Sequence, residues 1–147
     1  MEIKIIEKNR KASFNYFLLE RVEAGIVLLG SEIKSIRAGS VSIAESFVFI
    51  HRQELFIRNM HIGQYKFAGS LNHEERRDRK LLLHRKEIAK IDHKLQAERL
   101  SLIPTSIYFK KGMVKLELAL AKGKKLYDKR ESEAKKSAER KIRTGSF

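Results

Sequence analysis

Residues 114 to 121 constrain the fold more than any other stretch. Val114, Leu116, Leu118 and Leu120 alternate there with Lys115, Glu117, Ala119 and Ala121. Successive side chains of a strand point to opposite faces, so an apolar residue at every second position marks a strand with one face on a core. Such a strand needs a partner. Ser101 to Lys110 supplies one across Lys111 and Gly112, and the two runs read as a hairpin. Pro104, the single proline, has no ladder donor and predicts an edge position or a bulge near the start of the first arm. Upstream, Asn15 to Leu29 is a long apolar-rich run interrupted by Glu23, Ala24 and Gly25, which predicts one strand that bulges or turns at that glycine. Phe47 to Ile50 and Leu55 to Arg58 flank residues 51 to 54 as a second hairpin. Bent strands joined by local hairpins suit a small closed barrel, so the expected fold is mainly β and antiparallel.

Short helices should flank it. In residues 30 to 40 Ser31 is placed as the cap, Ile33 and Ile36 share one face and Gly39 ends the helix. Lys34 and Arg37 share the opposite face, either as solvated surface or as an RNA contact. Tyr65 to Arg79, weakly patterned and running into EERRDRK at 74–80, reads as an exposed loop. Leu81 to Arg99 reads as an amphipathic helix on the spacing of Ile88, Ile91 and Leu95, with Lys86, Lys90 and Lys94 as a cationic ridge.

Charge narrows the partner. Across 147 residues, 32 Lys and Arg against 18 Asp and Glu give a formal charge of +14. That favours a polyanion, either nucleic acid or an anionic membrane surface. The 42% hydrophobic content supports one core of ordinary size, expected over residues 1–121. Residues 122–147 carry ten Lys and Arg against four acids, with Leu126, Tyr127, Ile142 and Phe147 as the only large apolar groups. So few apolar groups do not offset chain entropy, and this basic tail is expected to be disordered when free and helical against a polyanion. At its start Lys122, Lys124, Lys125, Lys129 and Arg130 surround Tyr127, with Asp128 beside it. Cations around an aromatic ring suit RNA, whose phosphates and unstacked bases need the two chemistries.

Enzymatic chemistry is not visible in the sequence. There are no cysteines, and His51, His61, His73, His84 and His93 lack metal-ligand spacing. AKGKKL does not satisfy the phosphate-binding P-loop pattern, and no nucleophile elbow occurs. No run is long and apolar enough to span a bilayer, and no signal sequence is recognisable, so a cytoplasmic protein without a membrane partner is expected. The reading is a binding protein, not an enzyme, with no cofactor and no metal.

Five blocks in order, NRKA at 9–12, EAGI at 23–26, GSEIKSIRAG at 30–39, RKLLLH at 79–84 and AKGKKLYDKR at 121–130, resemble the small protein B family, the bacterial tmRNA-binding proteins of trans-translation. The resemblance covers nearly the whole chain. It implies an oligonucleotide-binding-like closed antiparallel barrel with flanking short helices. It also implies binding to the tRNA-like domain of tmRNA, delivery with elongation factor Tu to stalled ribosomes, and contact with the small-subunit decoding centre and mRNA channel. By that resemblance Asn9, Glu23, Leu82 and Lys115 bear on RNA binding. Their neighbours Arg10, Lys11, Arg79 and Lys80, together with Lys34, Arg37, Lys122, Lys124 and Lys125, complete the tmRNA-facing candidates. Tyr127, Asp128, Lys129, Arg130, Lys135, Lys136, Arg140, Lys141 and Arg143 are the candidates for the decoding centre and mRNA channel. The competing reading is a generic basic ribosome-associated or single-strand RNA-binding barrel without tmRNA specificity.

Overall fold

The computed structural model describes residues 3–125 and Arg130. The alternating run forms the strand β9, Met113–Gly123, and its hairpin partner is β8, Ser101–Lys110. Nine strands occur among the described residues. In chain order the others are β1 (Ile3–Lys8), β2 (Tyr16–Ile26), β3 (Val41–Ser42), β4 (Phe47–His51), β5 (Glu54–Arg58), β6 (His61–Ile62) and β7 (Arg79–Leu82). Helices α1 (Arg10–Asn15), α2 (Gly30–Arg37) and α3 (Arg85–Ala97) lie between them. The order β8-β4-β5-β7-β2-β9, closed by the β8–β9 pairing, makes an antiparallel ring of six strands. β1 adds to the outer part of β8, and β3 pairs with β6 in a separate ribbon.

The inward-facing residues explain the closure. Leu55, Ile57, Leu81, Ile107, Leu116 and Leu118 are all buried, each contributing roughly 1.5–3 kcal/mol by leaving water. Ile88 and Ile91 of α3 and Ile36 of α2 belong to the same cluster. Two tight turns complete the hairpins. Arg52 and Gln53 have φ of 50° and 65°, and Lys111 and Gly112 have 53° and 74°. Positive φ at both central positions matches the twist of paired strands.

The expected mainly β, antiparallel architecture with short helices is what the chain forms, and several details differ. The irregularity in β2 lies between Leu18 and Glu20, not at Gly25. Gly25 pairs regularly with Lys115 on one side and Leu82 on the other, and a Cβ there would lie 3.3 Å from the Leu82 Cβ. Its role is close approach between strands, not a bend. Pro104 sits at a bulge, since the β8–β9 register shifts between Pro104 and Ser106. Ser31 does not cap α2: Leu29 holds that position, and its N–H donates to the Glu32 carboxylate at 2.8 Å. Gly39, at φ 81°, follows the helix end as expected. The stretch read as loop followed by helix is divided differently, because Arg79–Leu82 forms β7 and α3 begins only at Arg85.

Arg79 is the reason. It is fully buried, and its Nε donates to Glu32 Oε2 at 2.5 Å while Nη1 donates to the Met60 carbonyl at 2.7 Å and Nη2 to the Glu75 carbonyl at 3.2 Å. Arg77 clamps the same carboxylate with bonds of 2.5 and 3.1 Å. Burial alone pushes the Glu32 carboxyl up, but the Arg77, Leu29 N–H and Arg79 bonds together hold it below its ordinary value. His73 fixes the preceding loop. The Ile62 carbonyl only accepts, so Nε2 donates to it at 2.9 Å and Nδ1 accepts from the Ser31 hydroxyl at 2.8 Å.

Candidate nucleic-acid interface

The β2–β9 pair organises the candidates, because it runs the length of the ring and presents different chemistry at each end. At one end Gly25 pairs with both Lys115 and Leu82, so Leu82, Gly25 and Lys115 stand in one row across three strands. Glu23 stands two positions along on the same face of β2, opposite Glu117. A cleft of about 350 Å³ is lined by Glu23, Gly25, Leu82 and Lys115, with His84 and Glu87 from the start of α3. Leu82 is 50% exposed, so an apolar surface opens into a charged cleft.

The Glu23 carboxylate is held from across β9. The Tyr108 hydroxyl donates to Oε2, and Lys110 Nζ lies 3.3 Å from each oxygen. The Tyr108 bond, then Lys110, then the nearby Lys115 charge hold this carboxyl below its ordinary value. It is therefore an ionised acceptor at neutral pH. Burial and the Glu23 carboxylate both push the Tyr108 hydroxyl up, so it stays protonated and donates.

At the other end lie α1 and the exit of β9. Asn9 precedes α1, its Nδ2 donates to the Pro104 carbonyl at 2.9 Å and its backbone N–H to the Thr105 carbonyl at 2.8 Å. Asn9 thus ties α1 to the β8 bulge, and its Oδ1 is shielded from solvent without a partner among the described residues. Arg10 and Lys11 are exposed on α1, and Lys11 pairs with Glu45 at 2.7 Å. Lys122 pairs in register with Phe17, while Lys124 donates through Nζ to the Ser13 carbonyl at 2.9 Å and sits 5.1 Å from the Phe17 ring centroid. Lys125 is exposed beside them. Lys122 and Lys115 are seven residues apart on one strand, which at the usual rise separates the two ends by about 23 Å.

Other candidates fall elsewhere. On α2 Lys34 and Arg37 are exposed, and among the described residues neither forms an ion pair; Lys34 Nζ lies 5.4 Å from the Tyr65 ring centroid. Lys80 is exposed next to Leu82 and reaches Glu54 at 3.2 Å. Arg79 must be set apart from the expected RNA contacts, because its guanidinium is spent inside the fold on Glu32 and the carbonyls of Met60, Glu75 and Arg77. Arg130 is exposed. Tyr127, Asp128, Lys129, Lys135, Lys136, Arg140, Lys141 and Arg143 lie outside the described residues. Tyr108 and Lys110 were missed by sequence reasoning, since they sit in a run that reads simply as strand. Their only signal is alternation, which puts Tyr108 on the same face as Lys115. Among the described residues no group of three acidic or histidine side chains is disposed to hold a metal, and no helix is long and apolar enough to cross a membrane.

Comparison with known proteins places the chain among relatives. The family model described as SmpB protein matches residues 6–145. The SsrA-binding protein of Mycoplasma mycoides subsp. mycoides SC is 54% identical over 142 residues, covering 96% of this chain and 96% of the relative. That of Fusobacterium nucleatum subsp. nucleatum is 53% identical over 139 residues, covering 95% and 94%. A solved structure described as "tmRNA-SmpB: a journey to the center of the bacterial ribosome" contains a chain that matches with a TM-score of 0.67 at 42% identity, covering 82% of this chain and 85% of that one. Similarity of this extent in sequence and in three dimensions places the chain in the SmpB family.

Proposed function

We propose that this chain is a non-catalytic RNA-binding adaptor that binds the tRNA-like domain of tmRNA and delivers it, with elongation factor Tu, to stalled ribosomes for trans-translation in the cytoplasm. The observation that carries the reading is the convergence of Glu23, Leu82 and Lys115 on one exposed cleft. An ionised acceptor, an apolar surface and a cation within one cleft match the three parts of an unstacked nucleotide: donor edge, base face and phosphate. A surface that neutralised phosphates alone would have no use for Glu23. The formal charge of +14 supplies the long-range attraction common to any RNA.

Gel-shift titration against tmRNA and an equally long unrelated RNA at one salt concentration tests the reading. Tighter binding of tmRNA is expected, whereas equal affinities favour the generic RNA-binding alternative. Salt is held constant because log K falls by roughly 0.7 to 0.9 per neutralised phosphate for each decade of salt. The division of labour is part of the proposal. The ring captures tmRNA, while the basic tail acts at the decoding centre and mRNA channel. Deleting residues 131–147 is expected to leave tmRNA affinity nearly intact and abolish tagging of stalled peptides; a large loss of affinity would overturn that division.

A further inference from the structure

We propose that Tyr108 is a positioning residue for RNA recognition: reaching across β9, it fixes the Glu23 carboxylate in one orientation so that it accepts from the N–H groups of an unstacked nucleobase. The inference rests on the reading of the Glu23, Leu82 and Lys115 cleft as the tmRNA surface. Tyr108 stands on the outward face of β8, opposite Lys115 on one side and Ile5 of β1 on the other, yet it is only 7% exposed. A phenol packed this closely is a fixed point. Glu23, by contrast, is exposed on its strand, and without an anchor its carboxylate would sample several rotamers. The Tyr108 hydroxyl removes that freedom, and Lys110, near both oxygens, offsets the charge.

The arrangement selects a class of ligand. A carboxylate accepts at about four sites and donates at none. Tyr108 occupies one site and Lys110 approaches both oxygens at 3.3 Å, leaving acceptor capacity toward the cleft. Glu23 faces the cleft as an acceptor that cannot donate, so the group complementary to it is a base edge carrying N–H donors, such as the amino group of cytosine. Leu82, two positions along on the same face, offers that base an apolar surface, and Lys115 suits its phosphate.

The test uses the full chain as wild type, Tyr108→Phe, Glu23→Ala and the double variant, each titrated against tmRNA and an equally long unrelated RNA at fixed salt. Tyr108→Phe keeps the ring and should weaken tmRNA binding about tenfold, the scale of a lost hydrogen bond to a charged group. It should leave unrelated RNA unaffected and cost nothing further once Glu23 is Ala, which leaves the hydroxyl nothing to position. The groups facing Glu23 are Tyr108 and Lys110 on β8, Lys115 and Glu117 on β9, and His84 and Glu87 at the start of α3. Of these only the phenol hydroxyl is lost, so acid should abolish tmRNA binding at a higher pH in Tyr108→Phe than in wild type. No loss of affinity, equal loss in both backgrounds, or an unmoved pH profile each overturns the inference. If Tyr108→Phe lowers the unfolding midpoint, Lys110→Gln carries the same cycle from the exposed side. A wild-type chain that binds both RNAs equally would overturn the adaptor reading instead, and the inference with it.

Discussion

Replacing Arg79 by Met should destabilise the fold severely, because it leaves the Glu32 carboxylate buried with one of its two cations gone. Both side chains are 0% exposed. The substitution removes the bond to Glu32 Oε2 and strips donors from the Met60 and Glu75 carbonyls. Breaking one side of a buried ion pair typically costs 3–5 kcal/mol. Arg77 and the Leu29 N–H still serve Glu32, which argues for the lower end, about 3 kcal/mol. That is a large share of the roughly 5–15 kcal/mol that holds a domain together, and for a chain of this size it lowers the melting temperature by about 12 °C. Urea and thermal unfolding measure the loss. The pH dependence adds a second reading. Glu32 is held below its ordinary value of 4.5, so its contribution is full above that pH and lost as pH falls through the lower folded value. The gap between wild type and Arg79→Met should therefore narrow below pH 4.5. Arg79→Met with Glu32→Met should recover part of the loss, since no buried carboxylate is then left short of a cation, although Arg77 loses its partner. A variant that melts within about 3 °C of wild type would refute the reasoning, by showing that water enters and replaces the missing donors.

Lys34→Ala with Arg37→Ala should leave the unfolding midpoint unchanged and reduce tmRNA affinity in a gel shift if α2 faces RNA; unchanged affinity would make that helix plain solvated surface. Gly25→Val should push Leu82 outward, since even a Cβ would lie at 3.3 Å, and should lower tmRNA affinity more than it lowers stability in urea. Asn9→Ala should lower stability by about 1 kcal/mol through loss of its bond to the Pro104 carbonyl, measurable as a shift in the urea midpoint.

What the sequence revealed and what it hid follow one physical rule. The β9 alternation, both hairpins and the Pro104 bulge are set by residues close together in the chain, and local pattern was sufficient for each. The strand β7 was hidden because Arg79, charged and among charged neighbours, points inward; its partner Glu32 is 47 residues away in sequence. β1 and α1 were hidden for a related reason: each is six residues long, and β1 has its burial pattern blurred by lying outside the ring.

The candidate site obeys the same rule. Charge composition pointed to a polyanion, either nucleic acid or an anionic membrane surface, and the cations Lys34, Arg37, Lys122 and Lys124 are visible in any reading of the sequence. Glu23 and Leu82 came only from the family resemblance, since neither an acid nor a leucine suggests an RNA contact by itself. The register supplies the missing physics, because Gly25 lets β7 close on β2 and brings Leu82 into line with Lys115. An acid that would be a liability on a basic surface becomes an oriented acceptor once Tyr108 and Lys110 hold it, and that pairing spans 85 residues. A basic composition therefore accounts for attraction to RNA in general, while any preference for one RNA must come from the few groups that composition alone would have passed over.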